Sequence, residues 1–232
     1  MITLKLAGIP IGVDNRYPYI EKLARDYVTH ETAEFVVAAT DEDIEEERTN
    51  SEFEFSPGYL ESIVVYRKIA ERLPSYDAFV FHGAVLAMGG RAYAFTAKSG
   101  VGKTTHTRLW LSTFGDEVHY LNGDKPVIRF INGEPIAFGT PYRGKEGYGV
   151  NESLPLESIA LISRGEKDSA APVSGDDAVI RLASQVYMPK DPVSAVQTLS
   201  LIDKLSSAVK LVELHCTMDR NAALVARRAM EK

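Results

Sequence analysis

The chain has 232 residues, 45% of them hydrophobic and 25% charged, which is typical of a folded globular protein and excludes disordered, collagen-like and coiled-coil chains. A formal charge of −6 argues against sequence-independent nucleic-acid binding, which needs clustered Lys and Arg. The single cysteine, Cys216, cannot form an internal disulfide and no apolar run reaches the length of a membrane span, so we expect a cytoplasmic protein without membrane contact.

Residues 1–76 are predicted to contain strands and helices. Apolar and polar residues alternate in Ile2–Leu6, which predicts a short edge strand, and the glycines and proline at positions 8–12 predict a loop after it. The other predicted elements of this part are a helix at Tyr17–Tyr27, a β-prone segment at Phe35–Ala39, an acidic helix face or loop at Asp41–Glu47, and a helix from the Ser56-Pro57 cap to Leu73.

Residues 77–165 contain a hairpin that leads into a glycine-rich segment. Ala78–Met88 is predicted as one strand, Gly89-Gly90 as a tight turn, and Arg91–Ala97 as the antiparallel return strand. The chain then enters residues 98–104, and the composition of Lys103–Phe114 predicts a helix that ends at Gly115. The glycine-rich segment is therefore predicted to lie between a strand and a helix.

The rest of the chain alternates predicted strands, loops and helices. Strands are expected at Val118–Leu121, Val127–Ile131, Ile136–Phe138, Ser158–Ile162 and Val209–Leu214, helices at Asp176–Tyr187, Val193–Ala208 and Ala222–Glu231, and a loop at Arg143–Tyr148. We expect a single domain with an N-terminal portion at 1–76, a core at 77–165 and a helical C-terminal portion at 166–232.

The segment from Ala97 to Thr104 fits the Walker A pattern, except that its first position is Ala instead of Gly. In such a loop, backbone N–H groups at a helix N-terminus hold phosphate oxygens, the lysine reaches the β- and γ-phosphates, and the Ser/Thr hydroxyl ligates Mg²⁺. The alternative is an ordinary turn before a helix. The predicted nucleotide-binding residues are Ser99, Gly100, Val101, Gly102, Lys103, Thr104 and Thr105.

A phosphate loop usually needs a carboxylate from a neighbouring strand to hold the metal or its water. Asp124 follows the predicted strand Val118–Leu121 and is the best candidate, with Thr104 as the other predicted metal ligand. The alternative is that Asp124 is a simple residue of an Asn-Gly-Asp turn.

Several motifs in order resemble the catalytic domain of HPr kinase/phosphorylase and, more distantly, phosphoenolpyruvate carboxykinases. They are His82-Gly83, the Gly-Gly hairpin, the phosphate loop and Leu121-Asn122-Gly123-Asp124, and together they cover roughly residues 78–145. The resemblance implies an α/β fold with a mixed, partly antiparallel sheet. It also implies that Asp124 is the base that takes the proton from an attacking hydroxyl, and that His82 lies near the reacting phosphates. On its own, His82 is better explained as a partly buried histidine bonded to backbone, and the family pattern brings the two explanations close to equal.

The chain also departs from the family pattern. Gly123-Asp124 stands where the family has two adjacent aspartates, which puts the reverse phosphorylase reaction in doubt. We also expect the longer N-terminal domain of those enzymes to be missing, and the chain resembles the smaller kinases of free serine or peptide serines.

A glycine-rich segment at 140–145 offers two further cations. Arg143 and Lys145 follow a predicted strand and are suited to clamp a transferring phosphoryl group, although a solvated basic loop is an alternative. Arg164 is a weaker candidate of the same kind.

Together these observations predict an ATP- and Mg²⁺-dependent kinase that phosphorylates a serine-like hydroxyl of a protein, peptide or small molecule. The predicted catalytic residues are His82, Lys103, Asp124, Arg143 and Lys145. The partners expected are a nucleotide and the hydroxyl acceptor, with no nucleic acid, and the resemblance also allows a homo-oligomer. The alternatives are a nucleotide-binding regulator that phosphorylates nothing and a carboxykinase-like enzyme.

Overall fold

The computed structural model describes residues 1–98 and 100–231 as a mixed α/β fold with a partly antiparallel sheet, as the sequence predicted. The N-terminal part has a three-stranded sheet in the order β1-β2-β3. Its elements are β1 (Ile2–Leu6), β2 (Ile9–Asp14), α1 (Tyr19–Leu23), β3 (Phe35–Ala38), α2 (Asp41–Thr49) and α3 (Pro57–Arg72). In this sheet β1 is antiparallel and β3 parallel to β2, and β1 lies at an edge.

The loop predicted after β1 is in fact strand β2. Ala7 and Gly8 make the turn, with φ of 50° and 76°, which is the left-handed conformation that a two-residue hairpin requires. Ile9, Ile11 and Val13 are buried on one face of β2. The alternating apolar residues therefore outweigh the Gly and Pro residues between them.

Helices α2 and α3 begin at side-chain caps. Thr40 and Asp43 form a capping box, so the acidic segment is a helix, and its first three carboxylates lie near its positive N-terminal end. The Ser56 hydroxyl caps α3, Pro57 occupies its first turn, and the helix buries one face against the N-terminal sheet.

The rest of the described chain is built around a nine-stranded sheet. Its strands are β4 (Ala78–Val80), β5 (Ala84–Met88), β6 (Arg91–Thr96), β7 (Val118–Asn122), β8 (Val127–Ile131), β9 (Glu134–Phe138), β10 (Ser153–Arg164), β11 (Ser169–Val173) and β12 (Lys210–Cys216). Its helices are α4 (Lys103–Phe114), α5 (Gly175–Ala183), α6 (Pro192–Ala208) and α7 (Asn221–Met230).

The long strand β10 joins two parts of this sheet. Its first residues pair antiparallel with β9, and its later residues lie parallel between β6 and β12. Strand β5 is antiparallel to both β6 and β7, which places the ends of β6, β7 and β10 at the same edge. The residues that follow these three strands are therefore brought together.

The predicted strand Ala78–Met88 is interrupted at residues 81–83. Strand β4 pairs with β8, whereas β5 pairs with β6 and β7, so the chain passes from one part of the sheet to the other at His82. A Cβ at Gly83 would lie 2.5 Å from the Phe81 ring and 2.9 Å from the Phe95 carbonyl, so only glycine fits this crossing. The break exposes His82 at the sheet edge.

The C-terminal portion is less helical than predicted. Strand β11 was missed, because Ser169–Val173 is short, half-exposed and contains Pro172. Helix α5 ends at Ala183 instead of Tyr187, because the next residues form backbone hydrogen bonds with the interrupted strand. The Gln185 carbonyl accepts from the His82 N–H at 2.7 Å, and the Tyr187 N–H donates to the Val80 carbonyl at 3.0 Å.

The core contains the single tryptophan and the single cysteine of the chain. Trp110 on α4 is fully buried against Tyr93 and Phe95. Cys216 is buried beneath α7, where loss of solvent raises the pKa of its thiol to about 12. No helix in residues 1–98 and 100–231 is long and apolar enough to cross a membrane.

Candidate functional site

The segment from Ala97 to Thr104, here called the Gly-rich loop, joins β6 to α4. Gly100 and Gly102 have φ of 78° and 128°, a region that L side chains rarely adopt, and a Cβ at either would face open space. Glycine is therefore required here by backbone conformation. Helix α4 starts at Lys103, and the N–H groups of its first turn have no acceptor within the helix and form a partly positive end.

Arg164, the last residue of β10, donates hydrogen bonds to two backbone carbonyls of the Gly-rich loop. Its Nε donates to the Val101 carbonyl at 3.0 Å and its Nη2 to the Gly100 carbonyl at 2.7 Å. In a trans peptide the C=O and the following N–H point in opposite directions, so a fixed Val101 carbonyl also fixes the N–H of Gly102. Arg164, a weaker candidate for an anion clamp in the sequence, thus contacts loop carbonyls.

Asp124 is positioned by the buried side chain of Asn122. The Asn122 amide oxygen accepts from the N–H groups of Asp124 and Lys125, both at 2.9 Å, and its NH₂ donates to Thr140 at 3.1 Å. The Asp124 carbonyl accepts from the N–H of Gly83 at 2.9 Å, which ties it to the interrupted strand. The backbone around Asp124 is thus held on several sides.

The structure also explains the glycine before Asp124. A Cβ at Gly123 would lie 2.9 Å from the Arg143 carbonyl and 3.1 Å from the Tyr148 carbonyl. A second carboxylate at this position would need the loop at 143–148 to move.

Three cationic or basic side chains surround the Asp124 carboxylate. Lys103 Nζ lies 3.5 Å and His82 Nε2 3.6 Å from Oδ1, and Lys125 Nζ lies 3.8 Å from Oδ2. Burial lowers the pKa of Lys103, and the charge of Asp124 opposes that shift. Burial and the nearby Lys103 charge lower the pKa of His82, so the imidazole is neutral at pH 7. Residues from β6–α4, β7 and the β4–β5 break therefore meet at one carboxylate.

The predicted cations of the 140–145 segment are placed differently from each other. Arg143 is mostly buried, with Nη2 3.8 Å from Asp26 and its guanidinium 6.0 Å from the Tyr27 ring centre. Lys145 is exposed. Gly144 lies against Asp124, since a Cβ there would be 2.9 Å from the Asp124 Cβ. The segment thus packs on Asp124 through its glycine.

An open cleft of about 1140 Å³ brings these residues together. The predicted residues that line it are His82, Gly100, Gly102, Lys103, Thr104, Thr105, Asp124, Arg143 and Lys145. The Val101 side chain instead packs against the core, and Ser99 lies outside the described residues.

The opposite wall of the cleft was not predicted. It consists of Lys22, Leu23, Arg25 and Asp26 near α1 and of Phe55, Tyr59, Ser62 and Ile63 on or before α3. The apolar face of α3 was visible in the sequence, but no local pattern indicated that part of it would face the Gly-rich loop.

A metal ion would find oxygen donors at this site but not a complete protein cage. Within the part of the chain that the structure describes, no three His, Cys, Asp or Glu side chains converge on one point. Thr104 and Asp124 line the same cleft and offer a hydroxyl and a carboxylate. Such a sparse set of hard oxygen ligands suits Mg²⁺ that is shared with substrate phosphates.

Comparisons with known proteins give a distant structural similarity. The chain is similar to the Hpr(Ser) kinase/phosphatase from Coxiella burnetii, with 11% sequence identity, a TM-score of 0.36, and coverage of 64% of this chain and 91% of that one. No protein-family model and no curated protein sequence matches the chain.

Proposed function

We propose that the protein is a Mg²⁺-dependent phosphotransferase that moves the γ-phosphoryl group of a nucleoside triphosphate to a hydroxyl acceptor. The observation that carries this proposal is the 3.5 Å contact between Lys103, at the first turn of α4, and Asp124, after β7. A cation that can bind phosphate and a carboxylate that can accept a proton thus lie side by side at a helix N-terminus.

In the proposed reaction the Gly-rich loop acts as a phosphate loop. Its N–H groups and Lys103 hold the β- and γ-phosphates. The acceptor oxygen forms a bond to the γ-phosphorus while the bond from that phosphorus to the β,γ-bridging oxygen breaks, and the nucleoside diphosphate leaves. The proton of the hydroxyl goes to Asp124.

The two oxygens of Asp124 face different partners, which suits two roles. Oδ1 lies beside Lys103 and His82, and Oδ2 lies on the side of Lys125. One oxygen can accept the proton, and the other would hold Mg²⁺ together with the Thr104 hydroxyl. When bound, Mg²⁺ supplies positive charge that offsets the charge on the phosphate oxygens.

His82, Arg143 and Lys145 have supporting roles in this proposal. Neutral His82 can donate a hydrogen bond to a phosphate or acceptor oxygen beside Asp124. Lys145 is exposed at the cleft and is free to turn toward a phosphate, whereas Arg143 is held near Asp26 and Tyr27 and shapes the wall.

Incubation of the protein with γ-labelled ATP or GTP, Mg²⁺ and a panel of hydroxyl compounds and serine peptides tests the proposal. We expect label in an acceptor, and we expect EDTA to abolish it. A protein that binds nucleotide but labels no acceptor would instead be a nucleotide-dependent regulator.

We expect Arg164→Ala to weaken ATP binding by about tenfold, because two hydrogen bonds from a charged group hold the loop carbonyls. The dissociation constant for a fluorescent ATP analogue measures the effect. Arg228→Ala is the matched control, since it removes an exposed arginine from α7. Equal affinity of Arg164→Ala and the control would contradict this role of Arg164.

A further inference from the structure

A second cavity of about 340 Å³ adjoins the cleft, and we call it the side pocket. Ile63, His82, Lys125 and Tyr142 line both cavities. Beyond them the side pocket is lined by α3, by β4 and by the segment 184–187, and it contains no described residue of the Gly-rich loop. It therefore lies behind His82 and Lys125 as seen from the loop.

The aromatic and charged groups in the walls of the side pocket already have partners. The Tyr66 hydroxyl donates to the Lys125 carbonyl at 2.8 Å, and the Tyr187 hydroxyl donates to Glu71 at 2.7 Å. The Arg67 guanidinium donates to Glu47 at 2.7 Å, so its charge is offset at the rim. These groups present mainly their apolar surfaces to the cavity.

The side-chain amide of Gln185 also has hydrogen-bond partners within the protein. Its amide oxygen accepts from the Thr96 hydroxyl at 2.6 Å, and its NH₂ donates to the Ser184 hydroxyl at 3.0 Å. The side chains of Ala70, Val80 and Val186 complete the walls. Beyond His82 and Lys125, which line the boundary with the cleft, a charged or strongly polar group would lose its water and gain few hydrogen bonds, whereas an apolar group would be favoured.

The side pocket lies where in-line transfer would place the acceptor. The attacking oxygen must approach the γ-phosphorus from the side opposite the leaving oxygen, and the Gly-rich loop holds the leaving side. His82 and Lys125, which lie 3.6 and 3.8 Å from Asp124, form the boundary between the cleft and the side pocket. An acceptor whose hydroxyl reaches Asp124 therefore brings its neighbouring atoms to this boundary.

We propose that the side pocket binds an uncharged alkyl or aryl group adjacent to the accepting hydroxyl and thereby selects the acceptor. This inference rests on the proposed phosphotransferase function. The group can belong to a small alcohol or to the residue beside a serine in a peptide, since the chemistry that the pocket recognises is the same.

Two arms of matched probes test the inference with γ-labelled ATP and Mg²⁺. One arm compares 2-phenylethanol with ethylene glycol, and the other compares N-acetyl-seryl-leucinamide with its glycinamide and aspartic acid amide counterparts. We expect the apolar member of at least one arm to have a kcat/KM about tenfold or more above its polar counterparts. Equal or reversed preference in both arms would overturn the side pocket as an acceptor site. Label in no probe, with MgATP bound, would contradict the transferase function itself.

Two variants connect the preference to the pocket. Ala70→Leu adds bulk to a wall of the side pocket, and we expect it to reduce the apolar preference to the level of the polar probes without changing ATP affinity. Ala38→Leu, an exposed position on β3, is the matched control. Val186→Ala enlarges the pocket and should shift the preference from a leucine to a bulkier phenylalanine neighbour. Retention of the wild-type preference in both pocket variants would overturn the inference.

Discussion

Asp124→Asn is expected to lower the rate of phosphoryl transfer by about 10³-fold or more, while ATP binding persists. The amide keeps the size of the carboxylate, and the backbone at this position is held by Asn122 and Gly83, so the fold should survive. What disappears is the group that accepts the proton of the attacking hydroxyl. Transfer of label from γ-labelled ATP and the dissociation constant of a fluorescent ATP analogue, measured on the same preparation, separate the two effects.

Measured without Mg²⁺, which Asp124 is proposed to ligate, the affinity for ATP should stay the same or increase in Asp124→Asn. The carboxylate lies beside Lys103 in the cleft and would repel incoming phosphates, so its removal leaves the lysine free for the γ-phosphate. Asp116→Asn, an exposed acid in the turn after α4, is the matched control and should behave like the wild type. Transfer by Asp124→Asn at near the wild-type rate would contradict the assignment of the base.

The elements that sequence reasoning found are those with strong local signals. Each of these signals restricts the backbone within a few residues. Helix α3 begins at the Ser56-Pro57 cap, and α4 begins after the glycines that precede Lys103. The β5–β6 and β8–β9 hairpins form at the Gly-Gly and Asn-Gly turns. Because β6 leads into the Gly-rich loop and β7 leads into Asp124, the predicted pair Lys103 and Asp124 meets at one sheet edge.

The parts that were missed depend on contacts between distant segments. The break at His82 arises because β4 and β5 pair with different strands, and nothing in the local sequence distinguishes this from one continuous strand. Arg164 lies more than sixty residues from the carbonyls that it holds. The wall of the cleft near α1 and α3 belongs to helices that share a core with a separate sheet, and its position depends on the tertiary packing of that core.

Lys103→Met is expected to weaken ATP binding by about 100-fold and to remove transfer with it. The Lys103 ammonium is the less exposed of the two lysines at Asp124, with 15% of the side chain accessible compared with 49% for Lys125. A cation that is partly shielded from water interacts more strongly with phosphate than an exposed one does. Methionine retains the length of the apolar stem, so the change tests the charge. Titration with a fluorescent ATP analogue measures the loss.

Lys125→Met is the matched control for Lys103→Met, because it removes the same charge from the other side of the Asp124 carboxylate. We expect it to weaken ATP binding only several-fold, since the Lys125 ammonium is half-exposed and follows β7 instead of beginning α4. In Lys103→Met the carboxylate of Asp124 also loses its closest cation and repels the phosphates, so adding Asp124→Asn should recover part of the lost affinity. Equal losses of affinity in the two lysine variants, with no recovery in the double variant, would contradict this role of Lys103. The affinity for ATP would then depend only on the net charge of the cleft.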